Sequence, residues 1–169
     1  MIRVPERRIA VGSWADYEQA IGQQDPEYNA VICVSDQTPS FSNRLVRLYW
    51  YPLNERAPWG YSVFFWSKRI LDFHASQEDT ILIHCRAGVH RSPMILFAWL
   101  LSLQVASGVL DLSAINAMMG GQEDYADLYQ WDVRRGRIPD DLERFYELMR
   151  DPAMSLADCL ERMGRHRSP

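Results

Sequence analysis

Thr80-Ile81-Leu82-Ile83-His84-Cys85-Arg86-Ala87-Gly88-Val89-His90-Arg91-Ser92-Pro93 is the segment that decides how this chain folds. Thr80–His84 is apolar and partly β-branched, the pattern of a buried strand. Five residues turn between Cys85 and Arg91. Pro93 then suits the first turn of an apolar helix that follows. A strand thus delivers a cysteine into a tight loop, and an arginine opens a helix. Such a turn is built to hold an anion. The helix start presents unpaired N–H groups and the positive end of its dipole. A tight turn aims further N–H groups into one concave nest. Gly88 permits a backbone conformation that a Cβ would penalise. Arg91 offers a planar fork for two phosphate oxygens, and the same positive field favours Cys85 as a thiolate.

Upstream, Arg8–Val11 reads as a strand closed by Gly12, and Ser13 caps a helix from Trp14 to about Ile21. Ala30–Val34 and Leu45–Tyr51 are two more strands. Val63, Trp66, Ile70 and Phe73 mark one face of a helix that begins near Gly60. Leu142, Phe145, Tyr146 and Met149 mark another, and Ser155-x-x-Asp158 resembles a capping box for a last short helix. The expected architecture is α/β: a central, mostly parallel sheet of four to five strands flanked by helices, with a helical C-terminal third, as one domain over residues 1–169.

Spacing alone does not single out Cys85. Cys159 also has an arginine six residues on, Arg165, but Glu161 lies between them and no strand precedes. The combination of strand, glycine turn and Arg-Ser-Pro helix start belongs to Cys85 only.

His84-Cys85-x-x-Gly88-x-x-Arg91-Ser92 resembles the signature of the cysteine-based protein tyrosine phosphatases, most closely their dual-specificity branch. RIAVGSWADYEQAI followed by AVICVSD is similar to the opening strand, helix and strand of that family. The likeness covers about residues 8 to 106. The resemblance implies a phosphatase-like fold and a phosphomonoesterase acting on phosphotyrosine, phosphoserine or phosphothreonine in proteins. Cys85 would attack phosphorus to form a phosphocysteine that water then hydrolyses. Arg91 and the amides of Arg86, Ala87, Gly88, Val89 and His90 would bind the equatorial oxygens. Ser92 would donate to the thiolate, and His84 would support the strand–loop junction. No metal or cofactor is implied.

The leaving oxygen needs a proton. Pro52-Leu53-Asn54-Glu55-Arg56-Ala57-Pro58 resembles the Pro-x-Asp-Asp-Gly-Ala-Pro loop of the phosphatases of regenerating liver, with Glu55 at the acid position. Glutamate is one methylene longer than aspartate. Asp36, after the Ala30–Val34 strand, is the alternative general acid. Trp59 stands beside the acid loop as a candidate lid anchor. The resemblance also implies that Cys33 could form a disulfide with Cys85 under oxidation; as a residue, Cys33 reads equally as a small buried hydrophobe.

Composition narrows the function further. The 169 residues carry a net charge of −4 and are 47% hydrophobic and 24% charged, a globular mix that argues against broad nucleic-acid binding. Arg134, Arg135 and Arg137 form a local basic cluster. Three scattered cysteines make neither a disulfide framework nor a zinc site. The apolar run from Pro93 to Leu103 falls short of the ~20 residues of a membrane span. MIRVPERRIAVGSW carries charges where a secretory signal needs an apolar core, so a cytoplasmic protein is expected. Oligomeric state is not written in the sequence. Two other functions fit a cysteine in an amide-lined turn: a rhodanese-like sulfurtransferase, and a catalytically weak phosphopeptide-binding module.

Overall fold

The computed structural model describes residues 1–107 apart from 25, 41–42 and 55–61, together with Phe145. Five strands form one sheet: β1 (Ile2–Val4), β2 (Ile9–Gly12), β3 (Ala30–Cys33), β4 (Arg47–Trp50) and β5 (Ile81–His84). Their order across the sheet is β1-β2-β5-β3-β4. β1 runs antiparallel to β2, and every other pairing is parallel. Three α-helices, α1 (Trp14–Ile21), α2 (Ser62–Ser76) and α3 (Arg91–Ser107), and a short 3-10 turn at Pro5–Arg7 accompany the sheet among the described residues.

The inner strands run apolar because both faces of the sheet are covered. Successive side chains point to opposite faces. Ala10, Val31 and Leu82 therefore pack on one side against Tyr17, Ala20 and Ile21 of α1. Ile9, Ile32 and Ile83 pack on the other against Phe64 and Leu71 of α2 and Ile95, Leu96 and Trp99 of α3. Phe145 lies against Phe64 and Phe65, with ring centroids 5.6 and 4.8 Å apart. β5 sits between β2 and β3, so the chain leaves β5 at its carboxyl end in the crevice where open α/β sheets bind ligands.

Two expectations need correction. β1 was not foreseen: three residues on an antiparallel edge carry too little periodicity to register. The inward face of α2 also differs. Phe73 is 51% exposed, whereas Val63, Phe64, Ser67, Leu71 and His74 are buried. Ser67 and His74 go inside because hydrogen bonds satisfy them. Ser67 Oγ donates to the carbonyls of Val63 and Phe64, and both ring nitrogens of His74 have partners. An apolar count skips such positions: of its stripe Val63 is buried and Trp66 and Ile70 pack partly buried against the core, while Phe73 falls outside it. Of the predicted C-terminal helices only Phe145 is described, where it is helical and buried. Glu55, Trp59, Cys159 and the arginine cluster at 134–137 lie outside the described residues.

Candidate active site

α1 begins with a capping box. Asp16 N donates to Ser13 Oγ at 3.3 Å, and Ser13 N donates to Asp16 Oδ2 at 2.7 Å. This box fixes the end of β2, and the loop after β5 rests on it. Trp14 N donates to the Arg86 carbonyl at 3.0 Å. Gly88 has φ +76°, and a Cβ there would meet the carbonyl carbon of Gly12 and the nitrogen of Ser13 at 2.8 Å. Gly88 is required for both its conformation and its closeness to β2.

Above this floor the loop closes on Cys85. The thiol is buried, and two donors converge on its sulfur: Gly88 N at 3.3 Å and Ser92 Oγ at 3.2 Å. Burial pushes the thiol pKa up. The hydroxyl and amide of Ser92, the amide of Gly88 and the charge of Arg91 pull it down and prevail, holding Cys85 below the ordinary thiol value. Ser92 Oγ also lies 3.5 Å from the Gly12 carbonyl, within reach of the β2–α1 platform.

Arg91 is the first residue of α3, and its side chain is 1% exposed. Its Nη1 donates to Asp36 Oδ1 at 2.9 Å and to the Leu53 carbonyl at 2.7 Å. The arginine thus ties together the loop after β3, the loop after β4 and the helix that carries it. The hydrogen bond from Arg91 holds the Asp36 carboxyl below the usual range. That is the opposite of the raised proton affinity a general acid needs near neutral pH.

His84 closes β5. Its ring is fully buried and stacks on Tyr17 at 4.3 Å and 3°, with the Trp14 ring at its edge. Nδ1 lies 3.4 Å from the Cys85 carbonyl, and burial lowers the imidazole pKa to about 4, so the ring is neutral. Cys33 pairs with His84 across β3 and β5, one residue short of Cys85. Burial raises its thiol to about 11. Neighbouring cysteines in the fold are therefore driven apart, Cys85 toward thiolate and Cys33 toward thiol.

The structure brings Cys85, Gly88, Arg91 and Ser92 together, with His84 behind them. Arg86, Ala87 and Val89 are exposed at the rim, and His90 is half-buried with its carbonyl accepting from Met94 N. Gly12, Ser13 and Asp16 were not foreseen as parts of the site, although Ser13-x-x-Asp16 carries a visible capping pattern. Leu53 acts through its carbonyl and leaves no trace in side-chain chemistry. Among the described residues no group of His, Cys, Asp and Glu could hold a metal ion, and no helix is long and apolar enough to cross a membrane.

No family model matches the sequence, and no curated protein matches it. Solved structures do match in three dimensions. OH1 from the Orf virus, described as a tyrosine phosphatase with triple substrate specificity, is 17% identical with a TM-score of 0.59, covering 86% of this chain and 82% of that one. Human DUSP28 is 15% identical with a TM-score of 0.55, covering 87% and 96%. DUSP15 is 14% identical with a TM-score of 0.54, covering 96% and 94%. The chain has the fold of the tyrosine and dual-specificity phosphatases. In this phosphatase fold the loop from Cys85 to Arg91 occupies the carboxyl end of the central strand, where the sheet opens between β2 and β3.

Proposed function

We propose that the protein is a cytoplasmic phosphomonoesterase, one domain over residues 1–169, acting on phosphotyrosine and/or phosphoserine and phosphothreonine in proteins. The observation that carries this reading is the convergence of two donors on a buried Cys85 sulfur beside the buried Arg91 guanidinium. Phosphatase-fold neighbours support it, including one described as a tyrosine phosphatase.

In this reading Cys85 Sγ attacks phosphorus. The S–P bond forms as the bond to the leaving oxygen breaks, and that oxygen takes the proton of Glu55. Charge on the three equatorial oxygens is met by Arg91 and the loop amides. Water then attacks phosphorus and gives a proton to the Glu55 carboxylate as the S–P bond breaks, and the Ser92 hydroxyl stabilises the departing thiolate. Glu55 is the proton donor of choice because Asp36 is held ionised by Arg91.

The test is release of inorganic phosphate from an aryl phosphate and from a phosphotyrosine peptide, with inhibition by orthovanadate. Cys85→Ser should bind phosphopeptide without turning it over. Absence of phosphate release, with sulfur transfer from thiosulfate to cyanide, would replace this reading with a sulfurtransferase; phosphopeptide binding without turnover by the wild type would make the protein a binding module. A disulfide between Cys33 and Cys85 belongs to the same reading. A peptide map after mild peroxide that shows Cys85 oxidised and Cys33 still a thiol would remove it.

A further inference from the structure

Asp36 is 59% exposed at its side chain, yet its carboxylate is directed at the most buried cation of the described chain. Its loop is fixed independently of that contact. The Trp50 indole N–H donates to the Ser35 carbonyl at 2.9 Å, and Gln37 N donates to Ser35 Oγ at 3.2 Å. Oδ1 of Asp36 then stands 2.9 Å from Arg91 Nη1. The same nitrogen donates to the Leu53 carbonyl at 2.7 Å. A guanidinium Nη carries two hydrogens, so these two acceptors use both. The two parallel N–H groups that grip a phosphate dianion must therefore come from the edge formed by Nε and Nη2.

We propose that Asp36 is a positioning residue for phosphate binding: with the Leu53 carbonyl it pins Arg91 through Nη1 and so determines which edge of the guanidinium faces the Cys85 loop. It touches neither substrate nor the leaving group. This rests on the reading of Arg91 as a phosphate ligand. A long arginine side chain has several rotatable bonds, and a fork aimed before the anion arrives loses less freedom on binding. The exposure of Asp36 limits the effect, since a solvated pair is weaker than a buried one.

The experiment compares wild type with Asp36→Ala and Asp36→Asn. KM, kcat and the inhibition constant of inorganic phosphate are measured on an aryl phosphate with a good leaving group and on an alkyl phosphate with a poor one. Asp36→Ala should raise KM and the phosphate inhibition constant together by about tenfold. The ratio of kcat on the two substrates should stay at the wild-type value. Asp36→Asn keeps an oxygen acceptor for Nη1 and should recover more than half of the lost affinity. A loss concentrated on the alkyl phosphate would overturn the proposal and make Asp36 a proton donor. Unchanged phosphate affinity would also overturn it, and tighter phosphate binding would make Asp36 a competitor of the dianion instead. A wild type that binds no inorganic phosphate removes the phosphate-site reading and this proposal with it; the variant outcomes remove the proposal alone.

Discussion

Two buried histidines stand at opposite ends of β5, and the sequence surroundings of neither reveal how differently they are held. His74, in the last turn of α2, has Nδ1 2.7 Å from Asp79 Oδ2 and Nε2 2.9 Å from the Tyr49 hydroxyl. His84, the last residue of β5, lies flat on Tyr17, and its Nε2 is buried without a hydrogen-bond partner. The first is a staple: it joins α2, β4 and the turn before β5 through polar contacts. The second is a neutral ring packed among aromatics beneath the Cys85 loop. The amino end of the strand is built for stability. The carboxyl end gives some of it up, with an unpaired imidazole nitrogen, a left-handed Gly88 and a cysteine drawn toward the thiolate.

That contrast can be broken from either side. The largest effect should come from Cys85→Ser, a loss of about 10⁴-fold or more in turnover with the midpoint of thermal unfolding little changed. A variant that turned over substrate normally would move the chemistry away from this loop.

Next is the pH dependence of stability. The folded-state pKa of His84 is depressed from 6.5 to about 4, so its contribution is present above the unfolded value and is lost as pH falls toward the folded one. Between those values the unfolded chain binds a proton that the native chain does not, and stability declines by on the order of 3 kcal/mol. Denaturant unfolding of His84→Phe should be flatter than wild type from pH 6.5 down to 4. An identical slope in both would mean that the ring is not held neutral.

Gly88→Ala follows. A methyl there meets the backbone of Gly12 and Ser13 at 2.8 Å, and φ is unfavourable. The loop must shift, and kcat should fall by about 100-fold. Full activity would mean that the loop does not depend on its seat against β2. The smallest effect is expected at the other end of the strand. His74→Phe removes the partner of the Tyr49 hydroxyl and leaves Asp79 Oδ2 only the longer contact with Arg47 at 4.0 Å, and should cost about 2 kcal/mol in chemical denaturation. Activity per folded molecule should be retained; loss of activity at full stability would erase the division between the two ends.

How much could be read in advance followed the same division. The loop from Cys85 to Ser92 was legible because each residue type there has a chemical reason to be present. The central strands were legible because burial on both faces makes them continuously apolar. The inward face of α2 was legible only in part: Val63, Trp66 and Ile70 do meet the core, but Ser67 and His74 are hidden by hydrogen bonds and an apolar count cannot see them. Asp36 was legible as a carboxylate near the site, but its partner was not: the contact joins residues 55 positions apart and depends on how the β3 loop is anchored by Trp50. Leu53 contributes only a carbonyl, which every residue has. Gly12 was legible as the end of a strand but not as the floor under Gly88, because that role depends on β2 and β5 lying side by side.

The central claim is that one loop ionises one cysteine, and differential alkylation tests it within a single molecule. Folded protein is pulsed with iodoacetamide across a pH series, and labelling of Cys85 and Cys33 is followed by peptide mass. Cys85 should label with a midpoint below that of an ordinary thiol, and inorganic phosphate should protect it, while Cys33, raised to about 11, stays unlabelled through neutral pH. A Cys85 midpoint at the ordinary thiol value, unaffected by phosphate, would contradict the account.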